Sequence, residues 1–304
     1  MQKLIVILGP TAVGKTKFAV KLAKEFKGEI ISADSRQVYK GMDIGTGKDL
    51  SEYQFDDSNI PYHLIDILEP HDEYNLFTFQ KDFYSSLNQI ISNNNQPFLV
   101  GGTGLYIHSI LKDYKLHDVD FISKRAKDLK LLDESDLLEI FKNSKTQFHN
   151  TTDLIDKERI IKAILISESD NSNKQNKINF ELLVIGIAET REIIKDRITN
   201  RLKLRLQNGM IEEVENLIKN GLSYEKLEFF GLEYRLISQY IKGELSYNDM
   251  YQKLNSSIHK FAKKQMTWFR KMEREGIEIN WFKSEEINIA NLLIYNFLDI
   301  KKNI

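Results

Sequence analysis

The feature that most constrains the fold is the glycine-rich segment ILGPTAVGKT at residues 7–16. It matches the pattern G-x-x-x-x-G-K-[ST] at Gly9, Gly14, Lys15 and Thr16, between an apolar run, KLIVIL, and a helix-like segment, KTKFAVKLAKEF. Glycines let backbone N–H groups converge on phosphate oxygens, the lysine adds a positive charge, and the following helix adds its N-terminal dipole. The sequence therefore predicts a polyphosphate-binding loop between a buried strand and a helix.

The whole loop is expected to contact phosphate, and the hydroxyl of Thr16 is expected to be a ligand for Mg²⁺. A nucleoside triphosphate is the usual occupant of such a loop, but the loop alone does not distinguish it from another polyphosphate. The residues assigned to phosphate binding are Gly9, Pro10, Thr11, Ala12, Val13, Gly14, Lys15 and Thr16.

Apolar segments alternate with segments of helical period along the chain. Buried strands are predicted in KLIVIL, GEIISAD, QPFLVGG and INFELLVIGIAE, and a last strand in IEINWF. Thr190 is a suitable N-cap for the long helix that begins with REIIKDRITNRL. Strands that alternate with helices favour an α/β fold with a parallel sheet, here of the P-loop NTPase type.

The middle and the end of the chain are predicted to be helical. Residues 115–170 have helical period and no strand pattern, and the chain from about residue 204 is rich in Lys, Arg and aromatic residues. We therefore expect residues 1–114 and 171–304 to form the P-loop α/β core with basic C-terminal helices. Residues 115–170 are expected to form a helical insertion in that core.

Composition excludes several classes of site. The chain has 304 residues, a net charge of −1 and no cysteine, so disulfides, thiol catalysis and cysteine-ligated zinc are excluded. The six histidines show no metal-ligand spacing. The apolar start MQKLIVIL runs straight into the glycine loop. This apolar segment is too short for a signal peptide or a membrane span. These features predict a cytoplasmic protein with no membrane contact.

An acid follows the second predicted strand, in ISADSRQVYK. Asp34 is consistent with the Mg²⁺ ligand of a P-loop NTPase. With Ser35 and Gln37 beside it, the same carboxylate is also consistent with a base for an exocyclic amine, since a glutamine amide pairs well with an adenine edge. Thr103, in FLVGGTGLY, can donate a hydrogen bond to an oxygen of the ligand. From the residues alone, both interpretations of Asp34 remain open.

Five segments together resemble one family, the tRNA dimethylallyltransferases. GPTAVGKT, ISADSRQVYKGMDIGTGK, YHLIDILEP, PFLVGGTGLYI and FAKKQMTWFRK occur in that family's order and approximate spacing, over nearly the whole chain. The resemblance implies transfer of a dimethylallyl group from dimethylallyl diphosphate to N6 of the adenine at position 37, next to the anticodon. It implies tRNAs that read codons starting with U and binding of the anticodon stem-loop, with Mg²⁺ as the cofactor. The loop then holds a diphosphate. A monomer is expected because nothing in the sequence suggests an obligate interface.

The resemblance also implies catalytic roles for four residues. Asp34 corresponds to the family's general base, and Lys15 and Thr103 would stabilise the departing diphosphate. Arg201 falls at the second arginine of an R-I-x-x-R helix and would add to that stabilisation.

Twelve residues are assigned to tRNA on the same grounds. Basic side chains interleaved with aromatic ones suit an RNA backbone, although a helix with one apolar face would look similar. Two segments depart from the family pattern, ERIIK at residues 158–162 and the GLEYR segment, where a Leu-Glu insertion shifts Gly231. The assigned residues are Asp34, Ser35, Arg36, Gln37, Thr103, Arg125, Arg159, Lys162, Tyr234, Arg235, Lys264 and Arg270.

Three alternative functions are weighed against this one. A P-loop kinase for a small metabolite would explain the glycine loop and Asp34, but not the basic C-terminal helices. An isopentenyltransferase acting on a free adenine nucleotide would share the core without needing the insertion. A non-catalytic RNA-binding protein on a P-loop scaffold would have no need of the intact Lys15, Thr16 and Asp34.

Overall fold

The computed structural model divides into two compact units, which are described separately below. The core unit comprises Met1–Asp113 and Asn179–Ile304, and the second unit comprises Tyr114–Ile178. The sequence-based domain bounds stay a prediction, and the boundary near residue 170 lies outside the described residues. The structure describes residues 2–55, 58–116, 123–143, 157–168 and 180–300.

The core unit is built on a six-stranded parallel sheet with the strand order β3-β2-β4-β1-β5-β6. This confirms the predicted α/β class with a parallel sheet. The first strand is fully buried from Leu4 to Leu8, as expected for a strand covered on both faces. The strands are β1 (Gln2–Leu8), β2 (Gly28–Ala33), β3 (Tyr62–His63), β4 (Gln96–Gly101), β5 (Phe180–Ile187) and β6 (Asn280–Phe282).

The strand register brings three carboxyl ends to one level. Leu8 of β1 is aligned with Gly101 of β4, and Gly101 is aligned with Ala33 of β2. The segments that follow these three strands therefore leave the sheet side by side. They contain the glycine loop, the Asp34 turn and Thr103, so the register determines where these groups meet.

Helices of the core unit follow the predicted periodicity. The buried face of the first helix contains Phe18, Ala19, Leu22 and Ala23, and the Thr190 hydroxyl accepts the N-capping hydrogen bond from the Ile193 N–H. The helices are α1 (Lys15–Glu25), α2 (Leu76–Ser92), α3 (Gly104–Leu111), α7 (Arg191–Gln207), α8 (Met210–Lys219), α9 (Tyr224–Phe229), α10 (Leu232–Ile241), α11 (Tyr247–Arg274) and α12 (Ile287–Leu298), with a 3₁₀ turn at Leu50–Tyr53.

The second unit contains three described helices around a small apolar core. These are α4 (Lys124–Leu131), α5 (Glu134–Asn143) and α6 (Lys157–Glu168). Leu129, Leu137 and Ile164 are fully buried where the three helices meet. Within the described residues of either unit, no helix is both long and apolar enough to cross a membrane.

A buried carboxylate near the start of β2 connects this strand to β3 and to the turn before β4. Glu29 accepts hydrogen bonds from Asn95 at 2.6 Å and from Asn93 at 3.2 Å, and His63 Nε2 lies 2.7 Å from its other oxygen. Burial by itself raises the pKa of Glu29, but these three side chains outweigh burial and hold the pKa below 4.5. The ionised carboxylate therefore stabilises the folded state.

We expect Glu29 to make a pH-dependent contribution to the free energy of unfolding. Because its pKa is lowered on folding, the contribution is complete above pH 4.5 and is lost as the pH falls through the folded-state pKa. Glu29→Gln should lower the free energy of unfolding by about 1–3 kcal/mol at pH 7. The deficit should shrink below pH 4.5 in urea titrations. Glu278→Gln, at an exposed site, is the control, and an equal deficit at every pH would contradict the assignment.

Candidate active site

A cavity of about 830 Å³ opens at the carboxyl edge of the sheet. Its walls come from the segments after β1, β2 and β4 and from helices α7, α10 and α11. Of the residues assigned from the sequence, the cavity wall contains Thr11, Ala12, Gly14, Lys15, Thr16, Asp34, Ser35, Arg36, Gln37, Thr103, Arg201, Tyr234 and Lys264.

The glycine loop has the conformation that its sequence requires. Gly14 has φ +94°, a left-handed conformation in which glycine is favoured, and it caps α1. A Cβ atom at Gly9 would lie 2.5 Å from the carbonyl oxygen of Ile187. Lys15 Nζ donates to the Pro10 carbonyl at 3.0 Å, so the ammonium group folds back over the loop.

Two cations share the phosphate side of the cavity. Burial, and next the charge of Arg201, lower the pKa of Lys15 to about 8, while the carboxylate of Asp34 opposes the shift. Burial and the charge of Arg205 lower the pKa of Arg201 to about 10. Arg201 Nη2 donates to the Thr11 hydroxyl, so this arginine contacts the glycine loop. Two desolvated cations favour an anionic ligand here.

A second arginine of α7 supports the loop from outside. Arg197 Nη1 donates to the Val13 carbonyl at 3.0 Å, and its other nitrogen lies 3.6 Å from the carboxylate of Glu189. Sequence reasoning did not identify Arg197. It is the first arginine of the R-I-x-x-R motif, so the signal was the motif itself.

Asp34 and Thr103 lie in turns that are bonded to each other. Asp34 Oδ1 accepts from the Arg36 N–H at 2.9 Å, and Thr103 Oγ1 accepts from the Ser35 N–H at 3.1 Å. The Thr103 hydroxyl keeps its proton for donation to a ligand. The turn after β2 and the turn after β4 thus form one surface of the cavity.

Gln37 and Arg36 are oriented by neighbours within the same wall. Gln37 Oε1 accepts from the Ser32 hydroxyl at 3.0 Å, and its Nε2 donates to the Gly47 carbonyl at 3.1 Å. One amide proton of Gln37 remains for a base edge. The Arg36 guanidinium lies 5.0 Å from the centroid of the half-exposed Phe229 ring, within cation–π range.

A carboxylate that the sequence analysis missed fixes the loop bearing Gly47. Glu213 of α8 accepts from the backbone N–H groups of Asp43, Ile44 and Gly45 at 2.8, 2.7 and 3.0 Å. It also accepts from the Tyr234 hydroxyl at 2.7 Å. Three convergent N–H groups are a typical anion nest, and here a protein side chain fills it.

The environment of Tyr234 differs from the one its assignment to tRNA requires. Its side chain is 1% exposed, and its hydroxyl is used by Glu213. As placed, Tyr234 supports the Gly45 segment and has no free ring face for a base. A direct contact with tRNA stays a prediction, whereas Arg235, next to it in α10, is exposed.

Helix α11 presents charge to solvent and apolar groups to the core. Lys264 and Arg270 are exposed, and Lys264 also lines the cavity with Phe261 and Trp268. Phe269 is fully buried and belongs to the core. One helix therefore carries an apolar face and a basic face, and contact of the basic face with RNA stays a prediction.

The assigned residues of the second unit lie on its own surface. Arg125 is paired with Glu168 through two hydrogen bonds of 2.9 and 2.6 Å. Arg159 and Lys162 are exposed on α6. Their assignment to tRNA stays a prediction.

Three further carboxylates line the cavity and were not identified from the sequence: Asp49, Glu52 and Glu233. Burial raises the pKa of Glu233, against the opposing charges of Arg205 and Arg201. Burial likewise raises the pKa of Glu52, with Asp49 adding to the shift. Within the part of the chain that the structure describes, no three His, Asp or Glu side chains are arranged to hold a metal.

Similar proteins provide independent evidence. A family model described as IPP transferase matches residues 37–272, and one described as Isopentenyl transferase matches residues 2–57. The tRNA dimethylallyltransferase 1 of Geotalea daltonii is 50% identical over 291 residues, 95% of this chain and 94% of that protein. The tRNA dimethylallyltransferase 1 of Geotalea uraniireducens is 48% identical over 283 residues, 93% of each.

Solved structures agree with the fold. A full-length tRNA isopentenylpyrophosphate transferase from Bacillus halodurans has a TM-score of 0.71 at 28% identity, covering 98% of this chain and 97% of that one. A eukaryotic dimethylallyltransferase acting on tRNA has a TM-score of 0.76 at 21% identity, covering 100% and 81%. The second likeness is one of fold alone.

The Glu213 nest predicts a loss of both stability and activity on substitution. Glu213→Gln keeps the size of the side chain but turns an amide N–H₂ toward backbone donors, so about 1–3 kcal/mol of unfolding free energy should be lost. The turnover number should fall as well, because Gly47 orients Gln37. Urea unfolding and steady-state kinetics measure the two effects. The neighbouring exposed Glu212→Gln is the control, and wild-type behaviour of both variants would refute this role of Glu213.

Proposed function

The chain belongs to the IPP transferase family, and from that premise we propose that it is a tRNA dimethylallyltransferase that uses dimethylallyl diphosphate as the prenyl donor. Its matches to tRNA dimethylallyltransferases cover more than nine-tenths of the chain, which confirms the resemblance of its motifs. The acceptor is N6 of the adenine at position 37, next to the anticodon, in tRNAs that read codons starting with U. Diphosphate is the second product.

One observation carries the proposal: the phosphate loop and the Asp34 turn face the same cavity. Lys15 and Asp34 are close enough for the carboxylate to act on the pKa of the ammonium group. The cavity therefore contains both a cationic site that suits a leaving group and, separately, a carboxylate that can act as a base. A kinase would also need the loop, but it would not need a general base that accepts a proton from an adenine amine.

Asp34 is suited to the proton transfer that this reaction requires. An adenine amine is a weak nucleophile, since its lone pair is delocalised into the ring. As N6 bonds to C1 of the dimethylallyl group, the C1–O bond to diphosphate breaks and one N6 proton must leave. Asp34 accepts that proton, and its hydrogen bond from the Arg36 N–H holds the carboxylate in place.

The departing diphosphate gains charge, and the loop side of the cavity is suited to stabilise it. Lys15 and Arg201 supply positive charge from partly desolvated positions, and Thr103 supplies a hydroxyl donor. Preorganised donors are most effective where water is excluded. The remaining donors are N–H groups of the loop from Gly9 to Thr16, except that Pro10 has none and the Thr11 N–H is bonded to Gln265.

Mg²⁺ fits the donors of this site as a substrate-bound ion. Magnesium is commonly held by one or two protein oxygens and by substrate phosphates, so a cluster of protein ligands is not required. The Thr16 hydroxyl would hold it, with the Asp34 carboxylate across the cavity. Bound there, Mg²⁺ would neutralise charge on the diphosphate.

The acceptor side of the cavity is suited to a base turned out of an RNA loop. Target bases in folded RNA must be extruded before chemistry, and unstacked bases are held by stacking and edge contacts. Gln37 offers an edge contact and Arg36 a stacked cation, while Lys264, Arg235 and Arg270 offer exposed charge. We assign contacts with the anticodon stem-loop to these residues, and to Arg125, Arg159 and Lys162 of the second unit. The enzyme is expected to act as a cytoplasmic monomer.

Label transfer from radioactive dimethylallyl diphosphate tests the proposal. Two acceptors are compared with Mg²⁺ present: an unmodified tRNA that reads codons starting with U, and free AMP. Label in the tRNA alone is expected. Label in AMP would identify an isopentenyltransferase of free nucleotides, and no label with consumption of ATP would identify a kinase.

Asp34→Ala should retain tRNA binding and lose most of the turnover number. A general base contributes about 10²–10⁴-fold, so a loss of this size is expected. Filter binding of tRNA and single-turnover label transfer measure the two effects. Asp196→Ala, at an exposed position of α7, is the control, and near-normal turnover of Asp34→Ala would remove Asp34 from the role.

Lys15→Ala should weaken binding of the diphosphate substrate. The variant loses the charge that faces the phosphate chain, so the KM for dimethylallyl diphosphate should rise about tenfold or more. The KM for tRNA should change little. Lys21→Ala, on the exposed face of α1, is the control. Unchanged kinetics of Lys15→Ala would refute the loop assignment.

A further inference from the structure

A single glutamine of α11 bridges the two sides of the cavity. Gln265 Oε1 accepts from the Thr11 N–H of the phosphate loop at 2.8 Å. Its Nε2 donates to the Gly102 carbonyl, after β4, at 2.9 Å. The donor and acceptor roles fix the orientation of the amide, since the reverse orientation would place N–H against N–H and oxygen against oxygen.

The position of Gln265 within its helix shows that this bridge is specific. The buried face of α11 consists of Met250, Leu254, Ile258, Ala262, Gln265, Phe269 and Met272, and in this fully described helix Gln265 is the only polar member. Burial of an amide is unfavourable unless both of its ends are bonded. Gln265 meets that condition only through the two loops.

Each loop continues directly to reacting groups. On one side, the hydroxyl of Thr11 accepts from Arg201, so the residue held by Gln265 is also held by a cation of the diphosphate site. On the other side, Gly102 precedes Thr103, whose hydroxyl accepts from the N–H of Ser35, next to Asp34. Gln265 therefore stands between the leaving-group side and the base side.

We propose that Gln265 is a positioning residue that sets the separation between the diphosphate loop and the Asp34–Thr103 turn. The inference rests on the proposed function, because it assigns the two loops to the two partners of a prenyl transfer. The carbon–nitrogen bond forms only if N6 and C1 lie at a near-attack distance, and a misplacement of about 1 Å can cost 10²-fold in rate. Gln265 acts through the two loops that it bridges.

Two substitutions separate this role from general packing. Gln265→Met keeps the volume and loses both hydrogen bonds. Gln265→Glu keeps an acceptor for the Thr11 N–H but sets a carboxylate against the Gly102 carbonyl when ionised. When protonated, the Glu carboxyl donates to Gly102 and restores both bonds. Burial and the facing carbonyl both raise the pKa of this carboxyl, against the opposing charges of Lys15 and Arg201.

The pH profile is the decisive measurement. Turnover of Gln265→Met should be about 10–100-fold below wild type at both pH 6 and pH 8, with the KM for dimethylallyl diphosphate changed far less. For Gln265→Glu, the ratio of its turnover to wild type should rise about fivefold from pH 8 to pH 6, since a restored hydrogen bond is worth about 1 kcal/mol. A ratio that does not change with pH, or wild-type turnover of Gln265→Met, would overturn the proposal.

Other titrating groups do not confuse this comparison. The charged side chains near the bridge are Lys15 beside the loop, Arg201 on α7, Asp34 beyond Thr103 and Lys264 on α11, with the pair His108 and Glu275 joining α3 to α11. All are present in wild type and in both variants. Gln265→Met carries the same groups without the new carboxyl, so the difference between the pH profiles of the two variants reports the effect of that carboxyl.

A further variant and a binding measurement cover two remaining outcomes. If the Gln265 variants do not fold, Gly102→Ala can be used instead. It keeps glutamine at position 265 but places a Cβ atom 2.4 Å from the Gln265 Nε2. This variant should displace the bridge and lower turnover, and wild-type turnover would overturn the proposal.

If wild type transfers no label, the proposed function fails. Inorganic diphosphate affinity, measured by calorimetry, then tests the bridge: near wild type for Gln265→Glu and several-fold weaker for Gln265→Met.

Discussion

The alignment of three strand ends is the constraint on which the whole site depends. β2 and β4 approach so closely at their carboxyl ends that a Cβ atom at Gly101 would lie 2.2 Å from the carbonyl oxygen of Ala33. This close approach lets the Thr103 N–H donate to the Ala33 carbonyl at 3.1 Å and brings the Thr103 hydroxyl to Ser35. With β1 level beside β4, the phosphate loop joins the same edge. Leaving group and base are thus brought together by backbone register.

The charges of the cavity form a balanced set around that edge. Lys15 and Arg201 both have lowered pKa values, mainly because they are buried. The charge of Arg201 adds to the shift of Lys15, and the charge of Arg205 adds to the shift of Arg201. A diphosphate places negative charge beside these desolvated cations, so its binding stabilises their charged forms. The same preorganised charge is available as the C–O bond breaks and the diphosphate becomes more anionic, which favours the transition state over the bound substrate.

The sequence identified the local motifs, and the structure added the contacts between distant segments. The glycine loop, the buried strands and the Thr190 cap are encoded by neighbouring residues, so pattern and spacing were sufficient. Glu213 and Gln265 act on backbone groups about 170 and 254 residues away, and no local pattern reveals such pairs. Gln265 did carry a signal, a lone amide on an apolar helix face. Tyr234 shows the opposite case, because its motif gave no indication of burial.

The bridge to Gln265 also bears on the choice of polyphosphate. In a P-loop the backbone N–H groups are the phosphate donors, and each one used by the protein is lost to the ligand. Here the Thr11 N–H is bonded to Gln265, and the Thr11 hydroxyl is bonded to Arg201. The loop therefore has fewer donors than its length offers, which suits a shorter phosphate chain. Through Gln265, the same bond connects the loop to the turn after β4. The Thr11 N–H is thus unavailable to phosphate, but it helps to position the two loops for carbon–nitrogen bond formation.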